Sequence, residues 1–185
     1  MANTFLAGYL LGPTALVTYL THITVLLTNT YFLVAIRCSQ SPKRSLGLLA
    51  LHHLLFELTL IANLIVVSVY WSCLHRGQLE FYRGKPLNIL QLYWAHIAPG
   101  LYVAVNAWCS DVAMCKEHWK GVLILGILYG VHNYRESKRL GEPLYDILTW
   151  QDSTSFIVFG VILGAACGGF YLLGRASETL KAKRE

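Results

Sequence analysis

The chain has 185 residues, 55% of them hydrophobic and only 14% charged, with a mean hydropathy of +0.48. A soluble domain is about one quarter charged, so this composition argues against an ordinary soluble globule. The net charge is +5 and the pI near 9.0. In a chain this apolar, that excess belongs to connecting loops, and no segment alternates basic and aromatic residues as a nucleic-acid surface does.

The five cysteines, Cys38, Cys73, Cys109, Cys115 and Cys167, are scattered and odd in number. A complete disulfide framework is therefore impossible, and their spacing does not match a metal site. The N-terminal MANTFLAGYLLGPTALV has no basic stretch and makes a poor signal or transit peptide.

The apolar residues fall in long blocks. Helices satisfy their own backbone hydrogen bonds in lipid, so such blocks read as transmembrane helices. The expected fold is an all-α polytopic bundle of about five spans, forming one domain over 1–185. The first span runs near 13–36, with Pro13 suited to a first helical turn. The polar SQSPKRS turn follows. The second, near 46–73, is longer than a bilayer needs. LHRGQLEFYRGKP should form a loop, with Gly77, Gly84 and Pro86 as breakers.

The third span, near 87–108, carries His96 at its centre and Pro99 and Gly100 just after, where a break is expected. The fourth, near 121–134, is short. RESKRLGEPLYDILTWQDSTS makes a polar, aromatic connection to the fifth, near 156–173, and 174–185 is a charged helical tail at the membrane surface. Of the fifteen basic residues, six (Arg76 and Lys138 among them) fall on one side and nine (Lys43 and Arg175 among them) on the other. That bias places the C-terminus on the cytoplasm-like or matrix-like side.

Ionisable groups within spans are costly and mark candidate sites. Thr21 and His22 lie about as deep in the first span as His96 lies in the third, which runs the same way. Glu57, counted from the opposite side, also falls near mid-depth, with His53 one turn away. A hydroxyl, an imidazole and a carboxylate at one level are the parts of a nucleophile, base and orienter. The same groups also serve as hydrogen-bond glue between helices. His22 and His96 are the pair at matched depth that haem ligation would need, and a proton relay through His22, Glu57 and His96 is a further alternative. The last span carries Gly160, Gly164 and Gly168. Small residues at that spacing let helices approach closely, within the bundle or against a second subunit.

LTHITVLLTNTYFLVAI, ILYGVHNYRESKRLGEPLYDILTWQDST and GFYLLGRASETL together resemble the androgen-induced-gene family of multispan membrane proteins. Some of its members are threonine hydrolases of fatty acid esters of hydroxy fatty acids. The resemblance implies that Thr21 occupies the nucleophile position. The family's Asn-His-x-x-His-Thr pattern meets AHIAPG here: His96 matches its first histidine, Pro99 stands in place of the second, Ala95 replaces the Asn and Gly100 the Thr. The span that precedes the nucleophile in the family is missing.

Two function classes follow. One is an accessory or structural subunit of a larger membrane complex with a hydrolase-like fold and no cofactor, contacting the bilayer, other membrane subunits and bound lipids. The other is an intramembrane lipid-ester hydrolase using Thr21, His96 and Glu57. A mitochondrial inner membrane and an endoplasmic reticulum membrane are both compatible with either.

Overall fold

A computed structural model describes residues 15–40, 45–109 and 112–182, and all regular structure among them is helical. The helices are α1 (Ala15–Thr18), α2 (Leu20–Gln40), α3 (Leu46–Val69), α4 (His75–Phe81), α5 (Pro86–Cys109), α6 (Trp119–Leu140) and α7 (Ser153–Ala182). A π-helical turn, Tyr70–Leu74, joins α3 to α4, and a 3₁₀ turn, Lys116–His118, precedes α6. The expected start at Pro13, the turn over 41–44 and the last residues of the tail, 183–185, lie outside the described residues.

Three helices are long and apolar enough to cross a membrane: Leu20–Gln40, the continuous run Leu46–Phe81, and Ser153–Thr179. α5 has the length, at 24 residues, but Asn88, Gln91, His96 and Asn106 dilute its apolar character. α6 spans 22 residues and ends in the polar run Arg135–Arg139.

Several boundaries differ from the sequence expectation. The second helical run continues to Phe81, so Gly77 is helical. Helix propensity is a weak prior, and an isolated glycine costs only about 1 kcal/mol in a helix interior. The loop expected from Leu74 shrinks to a turn at 82–85, in which Gly84 takes a φ of +81°. Pro99 does not break α5, which continues through it. A proline removes one backbone donor and crowds the carbonyl four residues back, yet Ala98 and Pro99 are buried against neighbouring helices, and Gly100 admits Val67 closely.

The chain divides into two compact units, Met1–Ser110 and Asp111–Glu185. In the first, Thr28 faces Asn63 and Cys38 faces the Leu48 carbonyl, so α2 and α3 run antiparallel. Thr21 meets His96 and Tyr31 meets Asn106, each pair 75 residues apart. That constant offset is the signature of parallel helices, here α2 and α5. The unit is apolar outside, with Leu26, Leu33, Leu64 and Leu101 exposed, and its interior mixes apolar side chains such as Phe56, Val66 and Val103 with the polar Thr24, Thr28, Glu57, Thr59, Asn63 and His96. Buried polar groups under a broad apolar surface are unusual in a soluble domain.

In the second unit α6 and α7 pack antiparallel through glycines the sequence reading passed over. A Cβ on Gly126 would meet Leu163, and one on Gly130 would meet the Phe159 ring. The expected ridge is different. A Cβ on Gly160, Gly164 or Gly168 meets nothing within 4 Å among the described residues. α7 extends well past Leu173, and its last turns are held by the segment before α6. Met114 N–H donates to Ser177 Oγ at 3.1 Å, and Lys116 Nζ lies 2.8 Å from Glu178 Oε2. The Glu178 carboxylate keeps the Lys116 ammonium charged above the ordinary lysine range.

The α6–α7 connection is pinned by side chains. Gly141 closes α6 in the left-handed region, φ +76°, a conformation that favours glycine. Trp150, at φ +59°, is a non-glycine residue in the same region. Its indole N–H donates to Asn133 Oδ1 at 2.7 Å and its backbone N–H to Ser155 Oγ at 2.9 Å.

Candidate active site

The site lies in the first unit, on three helices. Thr21 sits in the first turn of α2, just after the bend that separates it from α1. His96 sits midway along α5 and is buried. The parallel register brings Thr21 Oγ1 to 3.2 Å from His96 Nε2, within reach of a nucleophile–base contact. Thr21 is half-buried, which leaves its hydroxyl approachable.

The other ring nitrogen fixes the tautomer. His96 Nδ1 lies 2.7 Å from the Leu92 carbonyl oxygen. A carbonyl only accepts, so Nδ1 carries the proton and Nε2 presents its lone pair to the Thr21 hydroxyl. This is the protonation pattern a general base needs. The orienting acceptor is therefore a backbone carbonyl one helical turn away on α5.

Glu57 does not take that role. Its Oε1 lies 3.1 Å from His53 Nε2 on the same helix, and its side chain is 1% exposed. Tyr70, thirteen residues further along the same helical run, is the residue that stacks on His96. At 1.5 Å per residue, Glu57 is about 20 Å down the helix axis from that level. Counting eleven residues in from Leu46 placed it with Thr21, but the residue of that helical run level with His96 is Tyr70.

His22 follows Thr21 on α2, with its ring edge-on to Tyr19 at 5.9 Å. Both nitrogens of His96 are engaged, by Thr21 and by Leu92. Axial haem ligation by the His22–His96 pair would take His96 Nε2 away from Thr21.

Two residues absent from the sequence reading complete the surroundings. The Tyr70 ring stacks on the His96 ring, with centroids 3.7 Å apart and planes 15° from parallel. The Tyr70 hydroxyl lies 2.9 Å from His75 Nδ1. Residues five apart point well away from each other on an α-helix, so no helical template pairs them. The π turn brings them together.

Deeper in the same unit, Asn63 Nδ2 donates to Thr28 Oγ1 at 3.0 Å, and Thr28 donates to the Thr24 carbonyl at 2.8 Å. This cluster joins α2 to α3 below the site. It is the hydrogen-bond glue expected of hydroxyls in apolar surroundings.

No protein-family model matches the chain, and no curated protein and no solved structure matches it.

Proposed function

We propose that this protein is an integral membrane hydrolase that cleaves a lipid ester, with Thr21 as nucleophile and His96 as general base. One observation carries the reading: the Thr21 Oγ1–His96 Nε2 contact of 3.2 Å, with the opposite ring nitrogen committed to a carbonyl so that Nε2 is free to accept a proton. The resemblance to the androgen-induced-gene family supports the same nucleophile. In this reading the protein is polytopic, with α5 and α6 also in the bilayer, each beside the apolar helices of its own unit.

The chemistry follows from the geometry. As Thr21 Oγ1 bonds to the ester carbonyl carbon, its proton passes to His96 Nε2. The imidazolium then gives that proton to the leaving alcohol oxygen as the carbon–oxygen bond breaks, leaving an acyl-threonine. Water attacks next, losing its proton to the same nitrogen, and the acid departs as Thr21 recovers its hydrogen. The Leu92 carbonyl holds the ring's other N–H throughout and steadies the positive charge. An apolar environment suits a long-chain substrate that enters sideways from lipid.

The experiment is turnover of a long-chain fluorogenic ester by the purified protein in detergent or nanodiscs. Thr21→Ala should abolish it, together with labelling by a serine/threonine-directed fluorophosphonate. Thr21→Ser should retain both. Full activity in Thr21→Ala removes the nucleophile assignment.

A second reading is favoured by the uncovered glycine ridge of α7: an accessory subunit seated in a larger membrane assembly through Gly160, Gly164 and Gly168. Co-migration with a large complex in mild detergent from native membranes supports it, and a free monomer there argues against it.

A further inference from the structure

We infer that Tyr70 and His75 are positioning residues for His96, and that the π turn exists to set them. The inference rests on the hydrolase reading above. Tyr70 lies almost flat on the His96 ring at 3.7 Å, with planes 15° apart, and is itself only 1% exposed. A ring clamped on one face cannot rotate about its Cβ–Cγ bond without clashing, so the stack and the Leu92 carbonyl together determine where Nε2 points. Hydrogen bonding alone leaves the imidazole free to rock about the Nδ1–carbonyl axis. The stacked phenol removes that freedom and offers an electron-rich face to the imidazolium formed during attack.

The phenol is fixed in turn. Its hydroxyl lies 2.9 Å from His75 Nδ1, and the His75 backbone N–H donates to the Tyr70 carbonyl across the π turn. On a regular α-helix, residues five apart diverge by about 140°. The wider π turn brings the fifth residue back over the first, so the two residues are joined both by backbone and by side chain. Single π turns are uncommon and recur at functional sites. Trp71 and Tyr93 close around the His75 ring at centroid distances of 4.3 and 5.7 Å, which holds the far end of the chain of contacts. The order of support is His75, Tyr70, His96, Thr21.

The test compares the parent, Tyr70→Leu, Tyr70→Phe and Thr21→Ala in ester turnover and in the rate of fluorophosphonate labelling. A displaced base of this kind costs on the order of 100-fold. Tyr70→Leu should lose about that much in kcat with KM little changed, and label correspondingly slowly. Tyr70→Phe keeps the stack and loses only the hydroxyl contact, so it should recover most of the activity and show that the site folds. His75→Ala should resemble Tyr70→Phe. Parent-like kcat and labelling in Tyr70→Leu, with Thr21→Ala inactive, overturns the positioning role and leaves the hydrolase standing. Thr21→Ala that labels and turns over like the parent overturns both.

Discussion

At the scale of single residues, the first unit is organised by where each polar atom finds its partner. Asn63 shows how little such a contact weighs when the partner has another. Thr28 accepts from Asn63, but its own hydroxyl hydrogen already goes to the Thr24 carbonyl. Replacing Asn63 with Ala removes its bonds to Thr28 and to the Thr59 carbonyl without overfilling the site, and leaves no stranded donor on Thr28. The cost should be on the order of 1 kcal/mol or less, as for interhelical hydrogen bonds in membranes generally, read as a small shift in unfolding midpoint in mixed micelles. A loss of several kcal/mol would mean the cluster holds the helices more firmly than its hydrogen bonds imply. Residue-level chemistry was also the part most open to reading from the chain. Thr21 and His96 count to equal depth on helices running the same way, and depth is a matter of 1.5 Å steps. Tyr70 and His75 carry no such mark, because their meeting depends on one extra residue in one turn.

At the scale of elements, glycine placement distinguishes a packed helix face from an open one. Gly130 accommodates the Phe159 ring, whereas Gly164 faces no atom within 4 Å among the described residues. Gly130→Ala should destabilise the second unit by about 1–3 kcal/mol, the usual range for forcing a methyl into a filled space. Gly164→Ala should be neutral or slightly stabilising, since alanine is the better helix former. Thermal unfolding of the two variants side by side checks this, and equal midpoints would contradict the packing described. Both glycine pairs fit a small-residue pattern in the sequence, GILYG at 126–130 and GVILG at 160–164. The pattern says that a close approach is possible but not which pair makes it. That depends on the register of α6 against α7, which the Trp150–Asn133 contact and the Gly141 cap help to set. The same limit applies to helix ends. HRGQLEF carries a glycine and charge, yet continues the helix, because the preceding run is already nucleated and each added residue costs little.

At the scale of the molecule, the three apolar helices and the apolar outer surface of the first unit argue for lipid, and the register of that unit makes orientation testable. α2 and α5 run one way and α3 the other. A cysteine introduced by Arg83→Cys, in the turn past the α3 run, therefore lies at the opposite end of the unit from Cys109, the last residue of α5. Arg83 and Cys109 are both exposed. In sealed vesicles with the other cysteines replaced, a membrane-impermeant thiol reagent should reach one of the two from outside and the other only after permeabilisation. Labelling of both from one side would contradict a membrane-crossing arrangement of α3 and α5. The composition already pointed this way, but it left open which of the five blocks are apolar enough. Four polar residues in α5 and the basic end of α6 leave those two less apolar than the other three.

Trp150 gives the second unit an optical property of its own. Its indole is enclosed by Tyr134, Phe156 and Phe159 and hydrogen-bonded to Asn133, while Trp71, Trp94 and Trp108 are 40%, 52% and 91% exposed. The ring is thus shut away from both water and acyl chains, and brominated lipids that extinguish the outward-facing tryptophans leave its light. What survives such quenching comes from Trp150 and the half-buried Trp119 of α6, and the Trp150 share shifts to the red when the left-handed backbone at 150 lets go.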